Sequence, residues 1–197
     1  MGDLTTYLNN SGFYHFEGYS QQVDQQVKDL IAITNKPNLR VMEIGFNAGH
    51  SADVFLKNNK FLDLTSFDLG EHAYVLAAKR YIDETYPNRH TLIIGDSTKS
   101  VPKFISSHNN HKFDIIFIDG GHAYETAKTD LENCMYLAHK DTIVILDDTI
   151  FTPGWEACWT TGPTRAWTEM VNNGKIVDID KKDYQPGRGM AWGKYVI

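Results

Sequence analysis

From Leu39 onward the apolar residues come in short runs, Arg40–Ile44, Leu64–Phe67, His90–Ile94, Phe113–Ile118 and Thr142–Leu146, each bounded by polar or turn residues. Runs of this length, rich in β-branched and aliphatic side chains, predict strands buried on both faces. Between them, longer stretches near Ser51–Asn58, Ala73–Tyr86, Val101–Ser107 and Tyr124–Ala138 space their apolar positions at helical intervals. The last of these sets Lys128, Asp130 and Glu132 on the expected solvent face. Strands alternating with helices long enough to cross over predict a parallel sheet and an α/β domain.

After the fifth run the rhythm changes. A loop rich in Trp, Thr, Gly and Pro, Phe151–Pro163, leads to a helix near Thr164–Asn172. Two further strands, Ile176–Ile179 and Met190–Val196, are separated by a loop too short for another crossover helix, so they should pair as an antiparallel hairpin. The expected fold is therefore a Rossmann-like seven-stranded sheet with parallel strands and a C-terminal antiparallel hairpin, and helices on both faces. Ahead of it, residues 1–38 carry Tyr7, Phe13, Tyr14, Phe16 and Tyr19 and then a helix-like Val23–Ile33. They read as a cap segment over the open edge of the site, with residues 39–197 as the main domain. At 197 residues the whole is expected to be one domain with one core.

Composition narrows the partners. With 42% hydrophobic and 22% charged residues, the chain is ordinary for a globular protein, and no stretch is long and apolar enough to span a bilayer. A net charge of -6 without a Lys/Arg cluster argues against a nucleic-acid footprint and favours a small-molecule substrate. Cys134 and Cys158 lack any metal-ligand or CxxC spacing, and the N-terminus lacks the pattern of a secretory signal, so the expected compartment is the cytoplasm. A homodimer is left open.

The segment Val41-Met42-Glu43-Ile44-Gly45-Phe46-Asn47-Ala48-Gly49-His50-Ser51 reads as a strand, a glycine-containing turn and a helix start. Such a turn lets backbone approach a ligand closely. A dinucleotide fingerprint would need G-x-G-x-x-G, whereas this turn is G-x-N-x-G and follows Glu43, an acid that opposes a pyrophosphate and suits a cationic ligand. Asp68 after the second strand is placed to accept hydrogen bonds from ribose hydroxyls, and Asp96-Ser97 follows the third strand. A single Asp at such a turn is more often a helix cap. Glu43, Asp68, Asp96 and Asp119, however, stand at successive strand ends, where open α/β sheets bind ligands.

The strand-turn-helix resembles motif I of class I S-adenosylmethionine-dependent methyltransferases, and Asp96-Ser97 looks like that family's adenine-contacting acid and its neighbour. The resemblance implies S-adenosylmethionine as cofactor, held by Glu43, Gly45, Phe46, Asn47, Gly49, Ser51, Asp68, Asp96, Ser97 and Asp119.

The run Asp119-Gly120-Gly121-His122-Ala123-Tyr124-Glu125 closes the fourth strand, and Asp147-Asp148 closes the fifth. Three carboxylates thus converge, the oxygen donors that a hard cation such as Mg²⁺ prefers, and without a cation they would repel one another. This spacing resembles that of catechol-type and antibiotic-sugar O-methyltransferases over roughly Glu43–Arg165, best of all the metal-dependent branch of macrocin and novobiocin-sugar type. The resemblance implies a divalent metal on Asp119, Asp147 and Asp148 and methyl transfer to a hydroxyl, a sugar or glycoside hydroxyl first and a catechol-like diol second. Many relatives carry a second acid where this chain has Gly121, which cannot serve as a base. His122 stands where the catechol enzymes place a Lys base, and imidazole is suited to taking a hydroxyl proton near neutrality. The competing reading of His122 is a residue that only orients Asp119.

Trp155 and Trp159 follow the paired aspartates closely enough to form a platform for a substrate ring, and Arg165 could meet an acidic substrate group. Packing explains either Trp alone more readily and the pair equally well, and a solvated position or a structural ion pair explains Arg165 more readily. One other methyl-transfer reading and one rival chemistry stand beside this: a metal-independent methyltransferase, with Asp147-Asp148 as cap and ion pair, and a nicotinamide-dependent oxidoreductase, which Asp68 would suit but Glu43, Asn47 and the terminal hairpin oppose. A binding module that has lost its chemistry fits poorly with complete sets of carboxylates at both positions.

Overall fold

The computed structural model describes residues 2–18 and 20–197; Tyr19, one of the cap aromatics, lies outside them. Seven strands form one sheet: β1 (Arg40–Ile44), β2 (Asp63–Asp68), β3 (His90–Ile94), β4 (Phe113–Ile118), β5 (Ala138–Asp147), β6 (Ile176–Gln185) and β7 (Arg188–Tyr195). Their order is β3-β2-β1-β4-β5-β7-β6, with β1 to β5 parallel and β7 antiparallel to both β5 and β6. Seven α-helices accompany them: α1 (Leu4–Asn10), α2 (Asp24–Ile33), α3 (His50–Asn58), α4 (Tyr74–Thr85), α5 (Ser97–Ser107), α6 (Tyr124–Met135) and α7 (Thr161–Asn172). This is the Rossmann-like sheet with a terminal hairpin that the pattern predicts.

Alternate residues of the central strands feed two cores, one on each face. Val41, Leu64, Ile115 and Phe117 pack with α1 to α4, and Met42, Phe67, Ile116 and Ile118 pack with α5 to α7. Both faces being covered explains why these strands read as uninterrupted apolar runs rather than as alternating ones. No helix among the described residues is long and apolar enough to cross a membrane.

The N-terminal segment is tied to the far end of the chain. On α2, the buried Gln26 donates from Nε2 to both carboxylate oxygens of Asp147, at 2.7 and 2.9 Å. One turn on, Asp29 accepts from Lys182 Nζ and Tyr184 OH, both at 2.9 Å, so α2 is fastened to the hairpin as well. One expectation for α6 fails: Asp130 is fully buried rather than on the solvent face, because it accepts a hydrogen bond from Ser97 Oγ at 3.0 Å. Burial pushes its carboxyl up to about 7.

Candidate active site

Strand order reverses between β1, whose successors run to one side, and β4, whose successors run to the other. Such a switch point opens a crevice at the C-terminal strand ends. Here it holds a cavity of about 860 Å³. The turn after β1 supplies Gly45 and Asn47, β2 ends in Asp68 and Leu69, β3 leads into Gly95–Ser97, and β4 leads into Asp119–His122. Asp148 after β5 and Arg188 at the start of β7 close the other side.

The turn after β1 has no room for a side chain. Gly45 has φ +95°, and a Cβ built on it would lie 1.8 Å from the backbone oxygen of Asp119. Asn47, at φ 49°, turns its N–H to Asp68 Oδ2 at 2.7 Å, while Gly70 N donates to Asp68 Oδ1 at 2.7 Å. Asp68 is thereby fixed at the cavity wall. Asp96 caps α5, accepting from Thr98 N at 3.0 Å and from Thr98 Oγ1 at 2.7 Å, and these hydrogen bonds hold its carboxyl below the usual range.

At the opposite end, Asp119, His122 and Asp148 present one ligand atom each within 4.8 Å of one another. His122 Nε2 contacts Asp148 Oδ2 at 2.9 Å, and this hydrogen bond raises the imidazole pKa. Burial, followed by the charges of Asp147 and Asp148, holds the Asp119 carboxyl well above its ordinary value. Asp148 sits at φ 54°, and its buried Oδ1 has no hydrogen-bond partner among the described residues. A buried carboxylate oxygen left unpaired carries a desolvation penalty that a cation would relieve. Oxygen donors, an imidazole and an orphaned buried oxygen fit a divalent ion such as Mg²⁺ or Mn²⁺.

A methyltransferase domain family matches residues 42–149, more than half of the chain, from the strand before the glycine turn to just past the paired aspartates. The chain belongs to that family. Among curated proteins none matches this methyltransferase. Its fold is shared with solved structures of low identity. An O-methyltransferase from Bacillus cereus in complex with S-adenosylhomocysteine (SAH) is 15% identical, with a TM-score of 0.76 over 98% of this chain and 89% of that one. TomG from Streptomyces achromogenes, an O-methyltransferase of tomaymycin synthesis in complex with S-adenosylmethionine, is 13% identical with a TM-score of 0.73 over 98% and 88%. CalS11, a TDP-rhamnose 3'-O-methyltransferase of calicheamicin biosynthesis, is 18% identical with a TM-score of 0.66 over 98% and 92%.

Several residues expected at the methyltransferase's site stand around the cavity and others do not. Gly45, Asn47, Asp68, Asp96, Ser97, Asp119, His122, Asp148 and Trp159 line it. Phe46 lies behind the turn, fully buried and stacked on His90 with ring centroids 5.0 Å apart, and Gly49 starts α3 beneath it. Glu43 and Ser51 are paired inside the protein: the Glu43 carboxylate accepts from Ser51 Oγ at 2.5 Å and from Ser66 Oγ at 2.6 Å. Asp147, expected as a third metal ligand, is turned away from the cavity and held by Gln26 and by the N–H of Asp148 at 2.9 Å. Burial, then the charge of Asp148, pushes it up to about 7. Arg165 and Trp155 lie outside the cavity as well: the Arg165 guanidinium is 3.8 Å from the centroid of the Tyr124 ring, and the Trp155 backbone oxygen accepts from Gly187 N at 2.8 Å. The exposed ring of Trp159 is held by its Nε1, which donates to Gly187 O at 3.1 Å. Cys134 and Cys158 are free thiols.

Two residues that no motif marked also shape the site, Gln26 behind Asp147 and Arg188 beside Asp148. At the cavity mouth, Glu17 of the N-terminal segment meets His72 Nε2 at 3.3 Å.

Glu43 makes a pH prediction. Burial pushes its carboxyl up to about 7, against the lowering effect of the two serine hydroxyls. Its folded pKa lies above the unfolded value, so its contribution to stability is complete below about pH 4.5, declines as pH rises, and is gone above about pH 7. The difference is on the order of 3 kcal/mol. Denaturant unfolding of the wild type at pH 5 and pH 8 should show a decline to which Asp119, Asp130 and Asp147 also contribute, and Glu43→Gln should remove the Glu43 share of it. An unchanged decline in the variant would mean that Glu43 does not titrate over this range.

Proposed function

We propose that the protein is an S-adenosylmethionine-dependent O-methyltransferase that moves a methyl group to a small-molecule hydroxyl with the help of a divalent metal, a sugar or glycoside hydroxyl being the favoured acceptor. The observation that carries this reading is the cluster of Asp119, His122 and Asp148 in the same cavity as the glycine turn and the strand-end acids Asp68 and Asp96. One end of the crevice suits the donor and the other suits an oxygen nucleophile.

When bound, the donor supplies an electrophilic methyl on a sulfonium, and the metal supplies a positive charge that favours an ionised hydroxyl. Asp119 and Asp148 would hold the metal. Asp68, fixed by Asn47 and Gly70, accepts hydrogen bonds from the donor's ribose, and the turn at Gly45 lets the donor lie against backbone. With Nε2 held by Asp148, His122 would take the acceptor proton on Nδ1, and Asp148 would stabilise the imidazolium that results. Trp159 offers a flat apolar surface to the face of a pyranose or an aromatic ring. Holding hydroxyl and methyl in line is the protein's largest contribution. The sugar preference is supported by the fold shared with the TDP-rhamnose 3'-O-methyltransferase. The free thiols of Cys134 and Cys158 support a reducing, cytoplasmic setting.

The test is SAH release with S-adenosylmethionine and a panel of free and nucleotide-linked deoxysugars and catechols, with Mg²⁺ and again after EDTA. Turnover confined to sugars and abolished by EDTA is expected. Turnover of catechols alone would overturn the acceptor class, EDTA-insensitive turnover would overturn metal assistance, and failure to bind SAH by calorimetry would overturn the whole reading.

A further inference from the structure

The carboxylate cluster already has a cation from its own chain. The Arg188 guanidinium lies at the cavity wall with only 15% of its side chain exposed, and its Nη1 is 3.8 Å from Asp148 Oδ1, the oxygen left without a hydrogen bond. It is held there: Nη2 donates to Gln22 Oε1 at 2.7 Å, and Gly18 packs so closely that a Cβ at that position would stand 2.6 Å from Nη2. Guanidinium keeps its proton at every working pH, so this charge is permanent.

We propose that Arg188 is a resident counter-cation of the Asp119/Asp148 cluster, a positioning residue that sets how tightly the cluster takes a divalent metal. The inference rests on the metal-assisted reading above. A divalent ion satisfying Asp148 Oδ1 would come within a few ångströms of the guanidinium, and like charges at that range in a partly buried site oppose each other strongly. Gln22 and Gly18 keep the guanidinium from swinging clear. In exchange, Arg188 offsets part of the repulsion between the neighbouring carboxylates before any ion arrives. The metal should therefore bind weakly and exchange readily, in a cluster already assembled.

The experiment is calorimetric titration of Mn²⁺ into the SAH-saturated full chain, for wild type, R188Q and R188K. R188Q should bind Mn²⁺ about tenfold more tightly or better, because a unit charge has left the site. R188K, which keeps the charge, should bind it as the wild type does, and SAH affinity should be the same in all three. Mn²⁺ affinity in R188Q equal to or below the wild type's would overturn the inference and leave metal assistance standing. Binding of SAH without Mn²⁺ in either chain would overturn both. If R188Q fails to bind SAH and so reports a damaged fold, the wild type carries the test by ¹⁵N NMR of its guanidinium groups. The Arg188 signal, assigned by its loss in R188K, should shift on saturation with Mg²⁺, and a stationary signal would overturn the inference.

Discussion

Replacing Asp148 with asparagine is expected to cut methyl transfer about a hundredfold or more while leaving SAH affinity and fold unchanged. Asparagine is the right probe because position 148 sits at φ 54°, a conformation that Asn tolerates and Ala does not tolerate well. The variant keeps the size of the side chain and can still meet His122. What it loses is the charge that would hold the proposed cation and that raises the His122 pKa. Both losses fall on the acceptor end of the crevice, since the donor end is built from Gly45, Asn47, Asp68 and Asp96. The measurement is steady-state SAH release beside calorimetric SAH binding. Turnover within about threefold of the wild type would remove Asp148 from the chemistry.

A second large effect is expected from Gly45→Ala, this time on stability and donor binding together. The new methyl would stand 1.8 Å from the Asp119 carbonyl oxygen, backbone against backbone, so no rotamer change relieves it. Relief requires β1 and β4 to part at their C-terminal ends, where Asp119 N donates to Ile44 O at 2.8 Å. The φ of +95° adds strain of its own for any residue with a Cβ. A loss of about 4 kcal/mol by denaturant unfolding is expected, together with loss of measurable SAH binding. A variant with wild-type stability would show that this turn relaxes freely.

The parts of the fold that could be read from sequence are those where local pattern and burial agree. β1, β3 and β4 begin and end where their apolar runs do. β6 is longer than its apolar residues suggest because it is an edge strand with an irregularity between Asp178 and Asp180, so Asp-Lys-Lys-Asp pairs with β7 without alternating. α5 begins four residues before its first apolar position because Asp96 caps it, the role that the sequence offered beside a ligand contact. α1 is short and polar, with Leu4 and Leu8 as its only buried residues, too little for a periodicity to show.

The site divides in the same way. The glycine turn and the strand-end acids are local features and could be found one at a time. Whether Asp147 or Asp148 faces the cavity could not, because the answer depends on Gln26, 121 residues away. Arg188 likewise sits in an ordinary-looking Pro-Gly-Arg-Gly turn whose relation to Asp148 exists only once β7 lies beside β5.

The fastening of α2 to Asp147 and to the hairpin also bears on the order of assembly. The partners of Gln26 and Asp29 lie 121 to 155 residues further along, so α2 leaves the ribosome long before them. Loops of that length close late and slowly. The parallel strands can pair with α1 and α2 packed on them, and the ties from Asp29 to Lys182 and Tyr184 close only in the final stage of folding. A nascent chain stalled before the hairpin would hold the five parallel strands and the cluster of Asp119, His122 and Asp148, and would lack Arg188, the cation beside it.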